Sequence, residues 1–188
     1  MNKKHFGFTL IELLIVVAII AILAAIAIPN FLAAQVRAKV ARAKGEMKSV
    51  ATGIESYYVD ETAYPTMYLE LNSRLPNSLT TPVSYLGSAA LFDLFQYDQD
   101  PSGTYPPEIF KRYRYHNIKE FIDGGYYGWT NPDDYLRYGL WRLVSVGPNR
   151  TYQAWEIYDP SNGTVSNGDI MRTQISASGE IMHKPYVP

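Results

Sequence analysis

The stretch that decides the fold covers residues 7–29 and reads Gly7-Phe-Thr-Leu-Ile-Glu12-Leu-Leu-Ile-Val-Val-Ala-Ile-Ile-Ala-Ile-Leu-Ala-Ala-Ile-Ala-Ile-Pro29. As an α-helix, residues 8–28 would extend about 31 Å at 1.5 Å per residue, which matches the hydrocarbon core of a bilayer. A buried core helix of this length would need a large helical domain around it, which the remaining sequence does not supply. The run is also too long for a secretory signal peptide. The sequence therefore predicts a membrane span over residues 8–29.

A carboxylate lies inside this span, close to its start. Glu12 follows a short basic segment, residues 1–7. At the centre of a membrane helix such an acid costs about 2.5–3.5 kcal/mol, so an intramembrane acid is a functional candidate. The alternative is that Glu12 extends its carboxylate back to the membrane interface, since it lies near the helix end.

The order of a basic leader, a glycine, Phe8-Thr-Leu-Ile-Glu12 and a long apolar run resembles the prepilin signal of type IV pilins and of type II secretion pseudopilins. The resemblance covers about the first 60 residues. It implies that a membrane-embedded prepilin peptidase cuts between Gly7 and Phe8 and methylates the new amino terminus. It also implies a pilin-like fold, a head outside the cytoplasm, and assembly of copies in the inner membrane into a helical filament by secretion or pilus machinery.

The chemistry of residues 8–12 agrees with this mechanism. Cleavage after Gly7 would leave Phe8 with a free α-amine, which is cationic near neutral pH. That ammonium is the natural partner for Glu12 of a neighbouring copy, because pairing removes an isolated charge from lipid. We therefore predict cleavage and N-methylation at Gly7 and Phe8, and an assembly role for Glu12.

The charges that flank the span favour the opposite orientation. Two lysines, Lys3 and Lys4, precede it, whereas five basic residues follow within 20 residues of Pro29. The positive-inside rule would therefore place the carboxyl-terminal part in the cytoplasm. We prefer the orientation that the resemblance implies, because the leader pattern is specific and the charge rule is statistical.

The hydrophobic pattern changes after Pro29. Apolar residues recur at alternating spacings of four and three and form one stripe, here called the apolar stripe: Val36, Val40, Ala43, Met47, Val50, Ile54 and Tyr57. This pattern predicts an amphipathic helix that packs on a sheet. Pro29 lacks an N–H and is predicted to kink the helix or melt it locally. The predicted divisions are a leader (1–7), a membrane and assembly helix (8–29), an amphipathic half (30–60) and a globular head (61–188).

The head is predicted to be α+β, with the long helix against a small antiparallel sheet. Strands are predicted over residues 111–117, 138–146, 169–175 and 180–183, the last two joined by a hairpin. A short helix is expected over residues 89–95. Alternation along residues 111–117 places Tyr113 and Tyr115 on one face, and Arg112, Arg114 and His116, expected to be solvated, on the other.

Composition and motifs exclude most catalytic chemistry. The 188 residues have a net charge of −1 and contain no Cys, which excludes disulfides, Cys-ligated zinc and thiol catalysis. The three histidines are isolated, and no known catalytic or nucleotide-binding motif is present, so we predict no enzyme activity. The basic and aromatic run at residues 111–116 is the best nucleic-acid candidate, but an ordinary strand explains it better and nucleic acid is an unlikely partner.

The segment from residue 158 to residue 169 is the candidate metal site. It brings Asp159 and Asp169 together with Asn162, several hydroxyl side chains and two Asn-Gly turns. Such oxygen-rich loops suit Ca²⁺, although the spacing is not that of an EF-hand. The segment resembles the calcium loop of the major pseudopilin of type II secretion, which implies Asp159, Asn162 and Asp169 as ligands. The alternative is a loop closed by Asx hydrogen bonds without metal.

Three functional interpretations follow. The first is the repeating subunit of a type II secretion pseudopilus that drives protein export. The second is a subunit of a surface type IV pilus, for adhesion, twitching or DNA uptake. The third is a membrane-tethered carbohydrate-binding protein that uses aromatic residues such as those at 124–129. The candidate calcium loop and the lack of a cysteine-closed carboxyl-terminal loop favour the first.

Overall fold

The structure is a computed structural model that describes residues 8–67, 74–88, 91–124, 134–153, 156–162 and 166–177. One long helix carries a small head with three strands and three short helices. In chain order, the elements are α1 (Leu10–Glu61), α2 (Pro107–Phe110), β1 (Arg114–Asn117), α3 (Ile118–Asp123), α4 (Asp134–Tyr138), β2 (Trp141–Ser145) and β3 (Ile170–Thr173). Two 3₁₀ turns lie at Asn77–Leu79 and Pro160–Asn162. This architecture confirms the predicted α+β, pilin-like class.

Helix α1 is 52 residues long, which corresponds to about 78 Å at 1.5 Å per residue. It begins after the N-cap Thr9 and ends at the C-cap Thr62, whose φ of 55° lies in the left-handed region. The residues around Pro29 are helical on both sides, so the chain does not unwind there. A bend at Pro29 stays a prediction.

The apolar stripe packs on the sheet, as predicted. Val40, Ala43, Met47, Val50 and Ile54 are buried, and Val36 and Tyr57 are partly buried against the same core. Leu143 and Trp141 of β2 belong to this core. The amphipathic half of α1 is therefore held by burial of its apolar stripe rather than by helix propensity.

Two carboxylates on α1 add directional contacts to this packing. Glu46 accepts a hydrogen bond from the Tyr113 hydroxyl at 2.8 Å, and Glu55 accepts one from the Trp141 indole nitrogen at 2.7 Å. The Tyr64 hydroxyl also donates to Glu55. Because large aromatic side chains bury a polar atom only when it has a partner, these bonds fix how far along α1 the sheet sits.

The sheet is antiparallel with the order β1-β2-β3. Tyr115 lies opposite Leu143, and Val144 lies opposite Met171. The strands at residues 114–117, 141–145 and 170–173 fall inside the predicted ranges but are shorter. In particular, Tyr138 belongs to α4, and Gly139, with a φ of 75°, turns the chain from that helix into β2. The predicted strand at 180–183 lies outside the described residues.

The helix expected over residues 89–95 is wrong where the structure describes it, over residues 91–95. Asp93 explains the difference. Its N–H donates to the carbonyl of Lys111, and its carboxylate accepts from the N–H groups of Phe95 and Val146 and from the Ser145 hydroxyl. The bonds to Lys111, Ser145 and Val146 tie the segment to other parts of the head, and the bond from Phe95 closes a turn rather than a helix.

The basic face predicted for residues 112–116 is only partly solvated: Arg112 and Arg114 are half-buried and His116 is buried, contrary to the expectation from alternation. His116 is 6% exposed, and its Nε2 lies 3.4 Å from the Tyr152 hydroxyl. The Arg114 guanidinium lies over the Tyr152 ring, 4.2 Å from its centroid. A second, smaller core of Ile118, Tyr138, Val144 and Met171 covers this face of the sheet. Burial holds the pKa of His116 well below its usual value, so the ring is neutral.

Two glycines of α1 differ in their surroundings. A Cβ at Gly53 would lie 2.8 Å from Leu86 Cδ2 and 3.2 Å from the Tyr85 carbonyl oxygen, whereas a Cβ at Gly45 would meet nothing within 4 Å. The chain at 85–86 thus approaches the helix closely because residue 53 has no side chain.

We expect Gly53→Ala to lower the free energy of unfolding by about 1–3 kcal/mol through overpacking, partly offset by the better helix propensity of Ala. Gly45→Ala, the matched control, should raise it by about 0.5–1 kcal/mol because the site is open. Chemical unfolding of the full chain in detergent, followed by near-ultraviolet circular dichroism, measures both. Stabilisation by both substitutions would contradict the close approach at Gly53.

Candidate functional site

The start of α1 contains a capping box. Glu12 Oε2 accepts hydrogen bonds from the Thr9 N–H at 2.9 Å and from the Thr9 hydroxyl at 2.6 Å, and the Glu12 N–H donates to Thr9 Oγ1 at 3.4 Å. These bonds satisfy amide groups that the first helical turn leaves unpaired. Glu12 therefore stabilises the beginning of its own helix in the single chain.

The capping box uses one of the two carboxylate oxygens of Glu12. Both Thr9 donors use Oε2, and Glu12 Oε1 accepts no hydrogen bond from the residues that the structure describes. Phe8 is 72% exposed, four residues from Glu12, and Gly7 lies outside the described residues. One carboxylate oxygen is thus free to accept a donor from another molecule.

We had not predicted the capping box from the sequence. The pattern Thr9-x-x-Glu12 directly before an apolar run is its usual signature and would have identified it. As a membrane-embedded acid, Glu12 is predicted to act in assembly, and the structure adds a second role in the cap of its own helix.

The amino-terminal half of α1 exposes its apolar side chains in every direction. Of the described helices, α1 alone is long and apolar enough to cross a membrane, and the most apolar window of 18 residues has no buried residue. This exposure argues against a core helix of a soluble protein, which would be buried. The predicted membrane or assembly helix thus has an apolar surface that the described residues leave uncovered.

The residues of the predicted calcium loop occupy different environments. Asp159 is exposed, and its Oδ1 accepts from the N–H and the hydroxyl of Ser161, which is an Asx turn. The Asp159 N–H donates to the Ser166 hydroxyl at 2.9 Å. Asn162 ends the 3₁₀ turn Pro160–Asn162. This half of the loop is closed by its own hydrogen bonds.

Asp169 is buried instead. Its backbone forms a parallel bridge with Ile157, and its carboxylate Oδ2 accepts from the N–H of Gln153 at 3.0 Å. Its Oδ1 is buried and has no hydrogen-bond partner among the described residues. Burial raises the pKa of this carboxyl to about 7.

These observations fit a calcium ion in part. A buried carboxylate oxygen without a donor is suited to a cation, because an unpaired buried acceptor is costly. However, the Asp159 carboxylate already has partners in Ser161, and the described residues contain no group of three His, Asp or Glu side chains arranged for a metal. Of the three predicted ligands, Asp169 is the one whose carboxylate has a buried oxygen without a partner among the described residues.

Comparison with known proteins identifies the amino-terminal segment. Residues 2–28 match the family model of the prokaryotic N-terminal methylation motif, and this range includes Gly7, Phe8 and Glu12. The chain is 52% identical over 63 residues to the type IV major pilin protein PilA of Myxococcus xanthus, covering 34% of this chain and 29% of that protein. It is 42% identical over 65 residues to the type II secretion system core protein G of Pseudomonas aeruginosa, covering 35% and 46%.

A longer alignment extends into the head. Core protein G of the type II secretion system of Aeromonas hydrophila is 27% identical over 144 residues, which cover 76% of this chain and 96% of that protein. The chain spans less than half the length of the Myxococcus and Pseudomonas proteins. No solved structure matches it significantly. The chain is thus related to type IV pilins and to core protein G, and the relationship is strongest over its first third.

Proposed function

We propose that this relative of the type IV pilins and of type II secretion core protein G is a structural subunit of a pilus-like filament. The observation that carries the proposal is the methylation motif over residues 2–28, which continues into a helix whose apolar surface is unburied. A filament supplies that surface with the same helix of other copies.

A type II secretion pseudopilus is the more specific proposal. The alignment with the Aeromonas core protein G reaches into the head and spans nearly that whole protein, whereas the alignment with the Myxococcus pilin ends after 63 residues. The alternative is a type IV pilus, which the amino-terminal segment supports equally, since it is similar to both kinds of protein. A gene beside those of a secretion ATPase and an outer-membrane secretin would favour export, and one beside twitching genes would favour the pilus.

The subunit would be anchored in the inner membrane before assembly, with its head outside the cytoplasm. The apolar helix and the methylation motif support anchoring. The basic residues that follow Pro29 oppose this orientation on the positive-inside rule. We retain the outward head because the leader pattern is specific, whereas the positive-inside rule is statistical.

In the assembly step, cleavage after Gly7 converts the amide nitrogen of Phe8 into an ammonium. The capping box supports a role for Glu12 as its acceptor, because Oε2 stays on Thr9 while Oε1 is available to a second copy. In a low-dielectric surrounding the attraction between the two charges is strong and salt screens it little. The pair thereby favours the filament over the separate subunit.

Processing is the first test. We expect the intact mass of the protein isolated from membranes to correspond to residues 8–188 with one added methyl group, because the leader ends at Gly7. A Gly7→Val variant, which removes the small residue before the cut, should retain the full leader. A mature amino terminus at any residue other than Phe8 would contradict the prepilin interpretation.

Assembly is the second test, and the capping box supplies its control. Glu12→Gln keeps an oxygen for the Thr9 N–H but removes the charge, so it should preserve membrane insertion and strongly reduce the yield of sheared filaments. Thr9→Ala removes the cap, at a cost of about 0.5–2 kcal/mol to the helix, but keeps the carboxylate. Electron microscopy and membrane fractionation measure both outcomes.

The two variants separate charge pairing from capping. If Glu12→Gln assembles as well as the parent, the carboxylate acts through the cap or reaches the interface, and the intersubunit charge pair is wrong. If Thr9→Ala alone abolishes filaments, the helix start rather than the charge limits assembly.

We also propose that the loop from residue 159 to residue 169 binds one calcium ion through Asp169. The buried, unpartnered Oδ1 supports this, and Asp159 and Asn162 would complete the site with main-chain carbonyls. The ion would neutralise a carboxylate that is otherwise buried with a charge. It would hold the carboxyl-terminal loop against β3, and it has no chemical role in assembly.

We expect calcium at one hundred times Kd to raise the free energy of unfolding of the parent at pH 8 by about 2.7 kcal/mol, and the midpoint of thermal unfolding should rise with it. Without calcium, the raised pKa of Asp169 means that stability is lost as the pH rises toward 7, so Asp169→Asn should be as stable as the parent or more so. Asp169→Asn should not respond to calcium. Equal midpoints of the parent in calcium and in chelator would support a loop closed by its own hydrogen bonds.

A further inference from the structure

We propose that a basic stripe on α1, formed by Arg37, Lys44 and Lys48, docks in the filament against the acidic apex of the head of another copy. The acidic apex consists of Asp60 and Glu61 at the end of α1 and Asp123 at the end of α3. This inference rests on the filament role proposed above and adds the aqueous contact that sets the spacing between subunits.

The basic stripe is continuous and exposed. Its three residues are spaced by seven and four positions, so they lie on one face of the helix over about 16 Å. All three are exposed, and none lies within 4 Å of a carboxylate among the described residues. Arg42, by contrast, pairs with Glu46 at 2.7 Å. The Lys44 ammonium lies 5.6 Å from the centroid of the Tyr158 ring, so the head borders the basic stripe without covering it.

The acidic apex carries an excess of negative charge. The last turn of α1 contains Asp60 and Glu61, and this turn has no basic residue. The carbonyl end of a helix also carries partial negative charge, which adds to the charge of the two carboxylates. Asp123 and Tyr58 border the same cavity of about 590 Å³, which places the end of α3 beside the end of α1. Lys119 is the basic residue that lines this cavity, and its ammonium lies 2.5 Å from the Asp123 carboxylate.

The two charged regions reflect a separation of charge along the whole chain. Residues 30–52 contain five basic residues and one acidic residue, whereas residues 53–188 contain ten basic and sixteen acidic residues. Of the basic residues in the head, Arg74 and Arg142 are buried. Asp93, Asp134 and Asp169 are buried as well, and the charges that remain in this part of the chain still have an acidic excess.

Within one copy these regions do not neutralise each other. Lys44 and Glu61 are 17 residues apart on one helix, which is about 26 Å at 1.5 Å per residue. The Debye length at physiological ionic strength is about 8 Å, so their attraction through water is screened. A second copy in the same orientation, shifted by about 26 Å along the helix axis, would bring its acidic apex to the basic stripe of the first.

The height of the basic stripe favours a second copy over anionic lipid. Arg37 lies 8 residues beyond Pro29 and Lys48 lies 19 residues beyond it, which correspond to about 12 Å and 28 Å along the helix. Most of the basic stripe is thus more than a Debye length from the end of the span. The heads of other copies lie at that height in a filament, and lipid headgroups do not.

Cysteine cross-linking tests the contact, because the chain contains no native Cys. Chains with Lys44→Cys and chains with Glu61→Cys are expressed together, the filaments are sheared off, and the sample is oxidised. We expect a disulfide-linked heterodimer at several times the yield of a control pair, Lys39→Cys with Glu61→Cys. Lys39 is also exposed but lies about 140° around the helix from Lys44.

A charge swap gives a second, independent measurement. Lys44→Glu should reduce filament yield several-fold, and Glu61→Lys in the same chain should restore it, because the contact is then reversed in every pair of copies. Failure of the second substitution to restore filaments would overturn the contact even if the cysteine variants assembled poorly.

The outcomes distinguish this inference from the proposed function. Filaments that form without enrichment of the Lys44–Glu61 cross-link would overturn the contact and leave the filament role intact. Absence of filaments from the parent chain would overturn the filament role, and the contact with it. A benzophenone attached at Lys44→Cys should label protein in the filament; if it labels lipid instead, the basic stripe binds headgroups and the proposal is wrong.

Discussion

The apolar surface of the first part of α1 has no partner within the described chain, and most of the molecule's behaviour depends on this constraint. Sixteen large apolar side chains between Phe8 and Leu32 are exposed, each by 45% or more. Full burial of such a side chain contributes about 1.5–3 kcal/mol, so their sum is on the order of tens of kcal/mol. The cost of about 2.5–3.5 kcal/mol for placing Glu12 in lipid is small beside it. The helix therefore tolerates one acid and still partitions out of water.

In the second half of α1, the apolar side chains are buried within the chain itself. There the apolar stripe is buried on the sheet, and Glu46 and Glu55 accept hydrogen bonds from Tyr113 and Trp141. The hydrophobic contact is non-directional and would permit the helix to slide along the sheet. The two hydrogen bonds permit one position, because a shift would leave a buried aromatic donor unpaired. The head is thereby fixed to α1, and any filament contact of the helix also positions the head.

The parts that the sequence predicted are those with local patterns. The membrane-length run, the apolar stripe and the α+β class each depend on spacing along the chain, and the structure agrees with them. The interactions that the sequence did not reveal join distant residues: the bonds of Glu55 to Trp141 and of Asp93 to Ser145, and the cover that Tyr152 provides for Arg114 and His116. The expectation that β1 would have a solvated face failed for this reason, since alternation along a strand tells which face a residue occupies but not what covers that face.

The features of the candidate sites also divide into those that a local sequence pattern predicts and those that depend on contacts between distant residues. The Asx turn at Asp159 follows from local turn chemistry, whereas the burial of Asp169 follows from a bridge to Ile157, which no local pattern indicates. The capping box of Glu12 was local, and a search for its pattern would have found it.

In the proposed filament, electrostatic contacts act at two heights with different consequences. The Glu12 carboxylate and the Phe8 ammonium would meet in lipid, where the effective dielectric is low and the pair contributes strongly to affinity. The basic stripe and the acidic apex would meet in water, where a single ion pair contributes about 0–1 kcal/mol and several together still remain sensitive to salt. Apolar burial and the intramembrane pair therefore supply most of the assembly energy. The aqueous contact favours the axial shift that pairs opposite charges among those that a smooth apolar helix would permit.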